Sequence, residues 1–456
     1  MTVVNGNWQL SRRGLLGGGL GLAAGAGMLA ACGPSDGSGG SDGEPPEDLG
    51  SPEEGRLVVW GGVAPETGPQ ALVDAFMAKY PDIEVEYTRY VNDEEGILKL
   101  DTALQGGVPI DVYFSYGTVD VVRRSQAALA LDLTDLARED DLAQIFVQDE
   151  PISTLVDGKL FSIPTTHFPN FVVINQDAME AAGIEIPFDW TVDDYHQIAQ
   201  EFASAGFDVG AYNVPRHEAV GLGGDYLYTE DGTESNLDHP LVRERLEATL
   251  AMEDDGSIFT QERITAEGIG GYAQNYFLDG TFAMMLDGTI IARYVKNLEE
   301  YPHDFRTTFR PYPRLAAGEP YINPGVRGDD VQISAKSKYA SAAWTFVKFW
   351  MGEGAELVTP SGKVSPFQYE DGPSDSLNEA LFGPDADELF DVESFEQTFF
   401  AAEPPLAVRS ITTAFTEISS IKSQIEEEIR LRTKSIDDGI AEMKTLADEA
   451  IDSWLE

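Results

Sequence analysis

Cysteine is nearly missing from this chain: Cys32 is the only one among 456 residues. No disulfide can staple the fold, so burial has to hold it. Basic residues are scarce too, 30 Lys and Arg against 79 Asp and Glu, which gives a formal charge of −49. Spread along the chain rather than gathered in one tail, that charge makes nucleic acid and anionic lipid poor partners. Lysine is the scarcer cation, 11 residues against 19 arginines. A lysine shortage beside excess carboxylate points to a high-salt source, where screening shortens charge repulsion to about 3 Å. A long, strongly apolar run is absent as well. The nearest approach, Gly14 to Ala31, is glycine-rich and only weakly hydrophobic, which disfavours a transmembrane anchor.

Catalytic signatures are equally thin. There is no His-Glu-x-x-His, and His217-Glu218 lacks the second histidine. Gly-x-Ser-x-Gly occurs around Ser35 and Ser41, but in a stretch with no strand before it or helix after it, so neither is a nucleophile elbow. Acidic pairs abound by chance, and a secreted glycosidase using two carboxylates is the rival reading; its carboxylate separation is not legible in sequence. Glu230 to Asp238 departs from calcium-loop spacing and reads as a solvated acidic loop. No cofactor or metal is expected.

What is present starts at the N-terminus. Ser11-Arg12-Arg13-Gly14-Leu15-Leu16 precedes the weakly apolar run, which ends at Leu29-Ala30-Ala31-Cys32-Gly33. The paired arginines resemble a twin-arginine signal, and the four residues ending at Cys32 resemble a lipobox, in which the thiol receives the lipid. Residues 1–31 are therefore expected to be a signal peptide. Residues 32–55, built from Gly, Ser, Pro, Asp and Glu, are expected to be a lipidated, flexible acidic linker. About 400 residues remain, enough for two lobes with a core each and hence a cleft.

Leu57 to Trp60 reads as a buried strand, Pro69 to Tyr80 as an amphipathic helix, and Ile83, Val85 and Tyr87 as an alternating strand: a βαβ unit. A helix over Glu94 to Gln105 and a strand over Ile110 to Phe114 extend it into an open α/β sheet. Asp157-Gly158 predicts a tight hairpin turn. Pro164 to Pro169 leads into a strand from Phe171 to Ile174, and Thr191 caps a helix reaching Ala205. Gly221 to Gly232 is an aperiodic loop, Phe282 to Leu286 a strand, and Ile418 to Ile429 and Ile436 to Leu446 are long packing helices, the second capped by Ser435.

Ligands of open α/β sheets lie beyond the carboxyl ends of the strands. Those ends carry Trp60-Gly61-Gly62, Ser115-Tyr116-Gly117 and Asp287-Gly288-Thr289.

In order, Phe76 to Val85, Leu104 to Val112, Asp157 to Pro164, Val173 to Asp177, Phe277 to Met284, Ile333 to Ser337 and Ala343 to Val347 resemble the extracellular solute-binding proteins of ABC importers, specifically the sugar-binding group related to maltose-binding protein. The resemblance covers nearly the whole mature chain. It departs at Gly106-Gly-Val-Pro109-Ile-Asp111, where Ile110 is inserted, and at Ile186 to Thr191, where the usual Pro-x-Thr-Trp is altered. It implies an α/β, two-lobed periplasmic-binding-protein-like fold of type II, each lobe an open sheet flanked by helices, with a hinge between them. Lobe 1 would be 56–165 plus 335–395, and lobe 2 would be 170–330 plus 400–456. The hinge crossings would lie near His167, Gln332 and Phe400. The implied function is capture of a sugar by hinge closure and delivery to permease subunits, by a monomer anchored through Cys32; a ligand sensor feeding a membrane receptor is a further alternative.

A neutral polyol needs aromatic faces and hydrogen-bonding groups. Trp60, Tyr116, Tyr226 and Tyr228 are the stacking candidates. Glu66, Asp225, Asp287, Arg327 and Asp329 are the polar ones, with Gly61 offering close backbone approach and His167 a donor at the first crossing. On this reading a phosphate or carboxylate ligand is disfavoured.

Overall fold

The computed structural model describes residues 49–140, 154–269, 273–366, 374–401 and 405–455. The paired arginines and Cys32 lie outside them.

Two sheets organise the chain. The first has five strands in the order β2-β1-β3-β8-β4: Ile83–Arg89, Gly55–Gly61, Val112–Ser115, Val326–Ile333 and Ile163–Phe168. β1 pairs parallel with β2 and β3, whereas β8 runs antiparallel to both β3 and β4. The second sheet has β6 (Met284–Asp287), β5 (Phe171–Asn175) and β7 (Thr307–Pro311), with β5 central and both pairings antiparallel.

Local chemistry accounts for the elements around them. Asp93 caps the helix Glu94–Gln105 by accepting from Gly96 N at 2.8 Å. Thr191 and Asp194 form a reciprocal capping box on the helix Val192–Ser204. Asp157 and Gly158 take φ of 52° and 73°, and Val156 bridges Lys159 in the expected hairpin. Leu57 and Val59 point into a core with Phe76, Trp344 and Phe346. Phe171 and Val173 point into a second core with Phe277 and Phe309, and Val172 and Ile174 into a third with Trp190 and Phe202. The helices Phe415–Arg430 and Ile436–Leu455 form a further layer with Val122, Tyr228 and Leu246.

Three boundaries differ from the sequence expectations. The second crossing lies not near Gln332 but at 323–326, before β8: Gln332 sits fully buried in the first sheet, accepting from Ser115 Oγ at 2.7 Å. Asp329 and Asp330 look like a turn in sequence, yet they belong to β8, with Asp329 in left-handed backbone at φ 49°. The third crossing lies not near Phe400 but at 362–365. Gly362 O accepts from Thr289 Oγ1 at 2.8 Å on the second-sheet side, and Val364 O accepts from His167 N at 2.7 Å on the first-sheet side. Residues assigned to lobe 1 as far as 395 consequently change sides early: Leu377, Leu381, Phe390 and Phe395 fill the core beneath Phe171 and Phe309.

Asn323 locks the first two crossings together. Its Oδ1 accepts from Asn170 N at 2.9 Å and Gly325 N at 2.8 Å, and its Nδ2 donates to Asn170 O at 2.8 Å. The side chain is 4 % exposed, so truncation orphans buried backbone groups. Asn323→Ala is expected to lower stability by about 2–3 kcal/mol, read as a shift of the urea midpoint; an unmoved midpoint would show that the clamp contributes nothing.

Candidate functional site

The chain crosses between the sheets at 168–171, 323–326 and 362–365, and two of the described cavities lie against those crossings. One, of about 180 Å³, is lined by His167, Phe171, Tyr312, Tyr321, Arg327 and Phe399 among others. A smaller one, about 60 Å³, draws Thr118 from the helix that follows β3, Arg216 and Tyr226 from the second-sheet side, Arg327 from β8, and Val408 and Arg409 from the segment returning toward the C-terminal helices. Arg327 and Val408 line both.

Each wall has a local cause. Arg327 faces His167 across the β8–β4 ladder. His167 sits edge-on to Phe399 at 5.5 Å, and burial with the nearby Arg327 charge drives its pKa down to about 3, so the imidazole is neutral. Arg216 Nη2 donates to Pro324 O at 2.7 Å, which ties it to the second crossing. The returning segment is zipped onto that crossing as well: Asn323 N donates to Pro405 O and Ala407 N to Asn323 O, both at 2.9 Å. It then passes so close to Gly224 that a Cβ there would lie 1.9 Å from Val408 O, a spacing only glycine permits. Arg409 follows directly, its guanidinium 4.1 Å from the Phe415 ring centroid.

Of the residues singled out from sequence, His167, Tyr226 and Arg327 line these two cavities. Tyr116 and Asp329 line a third, very small one behind them with Lys363 and Trp350. Lys363 pairs with Asp329 and lies 5.8 Å from the Tyr116 ring. The Tyr116 hydroxyl accepts from Gly62 N at 2.5 Å. Asp287 ends β6, where Gln274 Nε2 donates to it at 3.0 Å and burial raises its pKa to about 6.

The rest are engaged elsewhere. Trp60 packs on the opposite face of β1 from Leu57 and Val59, against the cluster of Leu100, Leu104 and Tyr113, with Lys99 5.6 Å from its ring. Strand alternation and the covering helix Glu94–Gln105 turn it away from both cavities. Gly61 lies against Tyr87, and Glu66 is exposed in a short 3₁₀ turn. Tyr228 is core, 4 % exposed and donating to Thr413 O at 2.7 Å. Asp225 accepts from Ser410 N at 2.9 Å and Ile411 N at 3.0 Å, so it holds the returning segment in place.

Arg216, Arg409 and Lys363 were not among the sequence candidates. For Arg409 a signal existed: residues 404–416 hold no carboxylate, an unusual gap in so acidic a chain. Among the described residues no three His, Cys, Asp or Glu side chains form a metal-ligand group, and no helix is long and apolar enough to cross a membrane.

Residues 63–356 match the family model described as bacterial extracellular solute-binding protein. That is well over half the chain, and the chain belongs to this family of binding proteins. A binding protein of Brucella abortus (strain 2308) is 25 % identical over 305 residues, 62 % of this chain and 69 % of that one. Among solved structures, an ABC substrate-binding protein from Listeria monocytogenes in complex with cycloalternan superposes with TM-score 0.69 at 17 % identity, covering 88 % of this chain and 99 % of that one. The GacH receptor of Streptomyces glaucescens, determined unliganded and with acarbose, gives TM-score 0.65 at 18 % identity, over 88 % and 99 %. A Rhizobium etli sugar transporter in an open conformation gives 0.64 at 19 %, over 87 % and 99 %. The fold is thus the two-lobed type II arrangement.

One buried carboxylate beside the crossings sets a pH dependence. Asp330 accepts from Ser162 Oγ at 2.7 Å, and burial together with Asp329 raises its pKa from 3.8 to about 7. A folded value above the unfolded one means that the native state holds the proton longer. The contribution of Asp330 to stability is therefore greatest below about pH 4 and is lost as pH rises through about 7. Asp330→Asn is expected to be more stable than the parent at pH 8, by no more than about 4 kcal/mol, with the gap closing toward pH 4. Unfolding curves that keep the same offset across that range would refute the assignment.

Proposed function

We propose that this protein is the substrate-binding component of an ABC importer, capturing a sugar or oligosaccharide between its lobes and passing it unaltered to permease subunits. The observation that carries the reading is the composite cavity, whose walls come from the first-sheet side (Thr118), the second-sheet side (Tyr226) and a crossing strand (Arg327). A ligand held there bridges both lobes only when they close, so its differential contacts shift the population toward the closed form that a permease can recognise. Family membership supports capture of a solute, and the cycloalternan and acarbose complexes of the structural neighbours support a saccharide.

The lobes consistent with this packing are 56–168 with 326–361, and 171–323 with 366–400, the C-terminal helices covering the junction. On this reading the protein binds without turnover and works as a monomer, exported by the twin-arginine signal and tethered to the outer face of the cytoplasmic membrane through Cys32. Cys32→Ser is expected to move it from the membrane fraction to the soluble one.

Calorimetry against mono- and oligosaccharides tests the reading. One-to-one binding without release of reducing sugar is expected, with Tyr226→Ala weakening it by about tenfold or more through lost ring contact. Trp60→Ala is expected to leave the affinity in place while lowering the melting temperature. Sugar release with turnover, or full affinity in Tyr226→Ala, would overturn the assignment.

A further inference from the structure

The charge inside the cleft is opposite to that of the chain. Among the described residues no Asp or Glu lines either of the two cavities at the crossings, whereas Arg216, Arg327 and Arg409 line the smaller one together. Elsewhere buried guanidiniums are met by acids: Arg124 by Asp101 at 2.7 Å, Arg245 by Glu218 at 2.9 Å, Arg430 by Glu253 at 2.7 Å. None of the three cleft arginines has a carboxylate within 4.0 Å among the described residues. Among the described residues, Arg327 Nε and Arg409 Nη1 are buried without a hydrogen-bond partner. Leaving such donors unmet is costly, and a guanidinium without a counter-charge more so.

The nearby acids are committed to other groups. Asp225 accepts from the backbone of Ser410 and Ile411, and Asp329 is paired with Lys363. Burial lowers the pKa of Arg409, with the adjacent Arg216 adding a little and Tyr226, Asp225 and Tyr228 opposing it. A neutral saccharide offers hydroxyls that need acceptors as well as donors, and carboxylates usually supply the acceptors. Among the described residues this cleft offers guanidinium donors and no carboxylate acceptor.

We propose that the solute is an acidic saccharide, a sugar bearing a carboxylate, whose anionic group is held by the guanidiniums of Arg327 and Arg409 with Arg216 beside them. The planar fork of arginine suits a carboxylate, which can accept two parallel N–H bonds. This proposal rests on the saccharide-binding reading above and replaces the neutral polyol expected from sequence.

The test uses sugar pairs that differ only at one carbon: glucuronate and glucose, galacturonate and galactose, mannuronate and mannose, with the corresponding uronate and neutral disaccharides. Binding to the full exported chain is measured by calorimetry at low and high salt. At least one acidic member is expected to bind about tenfold or more tighter than its neutral counterpart, and most of that preference should persist in 1 M salt. Arg409→Gln and Arg327→Gln should each erase most of that preference, and Arg409→Lys should restore part of it. Thermal melting of each variant separates lost affinity from lost fold. If neutral members bind as tightly as acidic ones, the charge inference falls while the saccharide reading stands. If no saccharide of either charge binds, both fall. A preference retained in both glutamine variants would overturn the assignment to these arginines.

Discussion

The cleft depends on one constraint: where the chain passes between the sheets, its strands must satisfy one another's backbone groups, because little water reaches them. Asn323 does this for the first two crossings, Val364 O for the first and third, and Asn323's own backbone for the returning segment at 405–407. Each of these bonds fixes a spacing rather than a surface. The spacing is enforced sterically too, since a Cβ on Gly325 would stand 2.4 Å from Phe168 O. Several residues that line the cavities hang from this floor: His167 and Arg327 as register partners on it, Arg216 through Pro324 O, and Arg409 through the returning segment.

How much of this was legible in the sequence follows from contact range. The helix Glu94–Gln105 was readable to the residue because its determinants, Asp93 and Gly106, are local, and the Asp157-Gly158 turn was readable for the same reason. β8 was missed because its partners lie more than 150 residues upstream, in β3 and β4, and Gly328-Asp329-Asp330 has the composition of a turn. The third crossing at 362–365 has no periodicity at all; only its contacts with Thr289 and His167 reveal it.

For the site residues, type was a weaker guide than face. Trp60 and Tyr226 are both aromatic, yet one is turned under a helix by strand alternation while the other reaches the cleft. Tyr228, two residues beyond Tyr226, is drawn into the core by the Thr413 carbonyl. His167 and Arg327 line the cavities because a crossing places whatever it carries at the junction. Arg409 escaped because its neighbourhood is ordered by tertiary contacts with Gly224 and Asp225.

A net charge of −49, counted as a whole, argues against an anionic solute. The objection confuses distance with number. Exposed carboxylates more than about 8 Å from a bound anion are largely screened at physiological ionic strength, and at 1 M salt the screening length is only about 3 Å. Guanidiniums in contact act through a partly buried, lower-dielectric path that salt reaches far less. Concentrated salt would therefore silence the surface and leave the cleft to decide. Under that condition an acidic exterior and an arginine-lined interior are compatible: the first keeps copies of the protein apart, and the second acts only on what has entered.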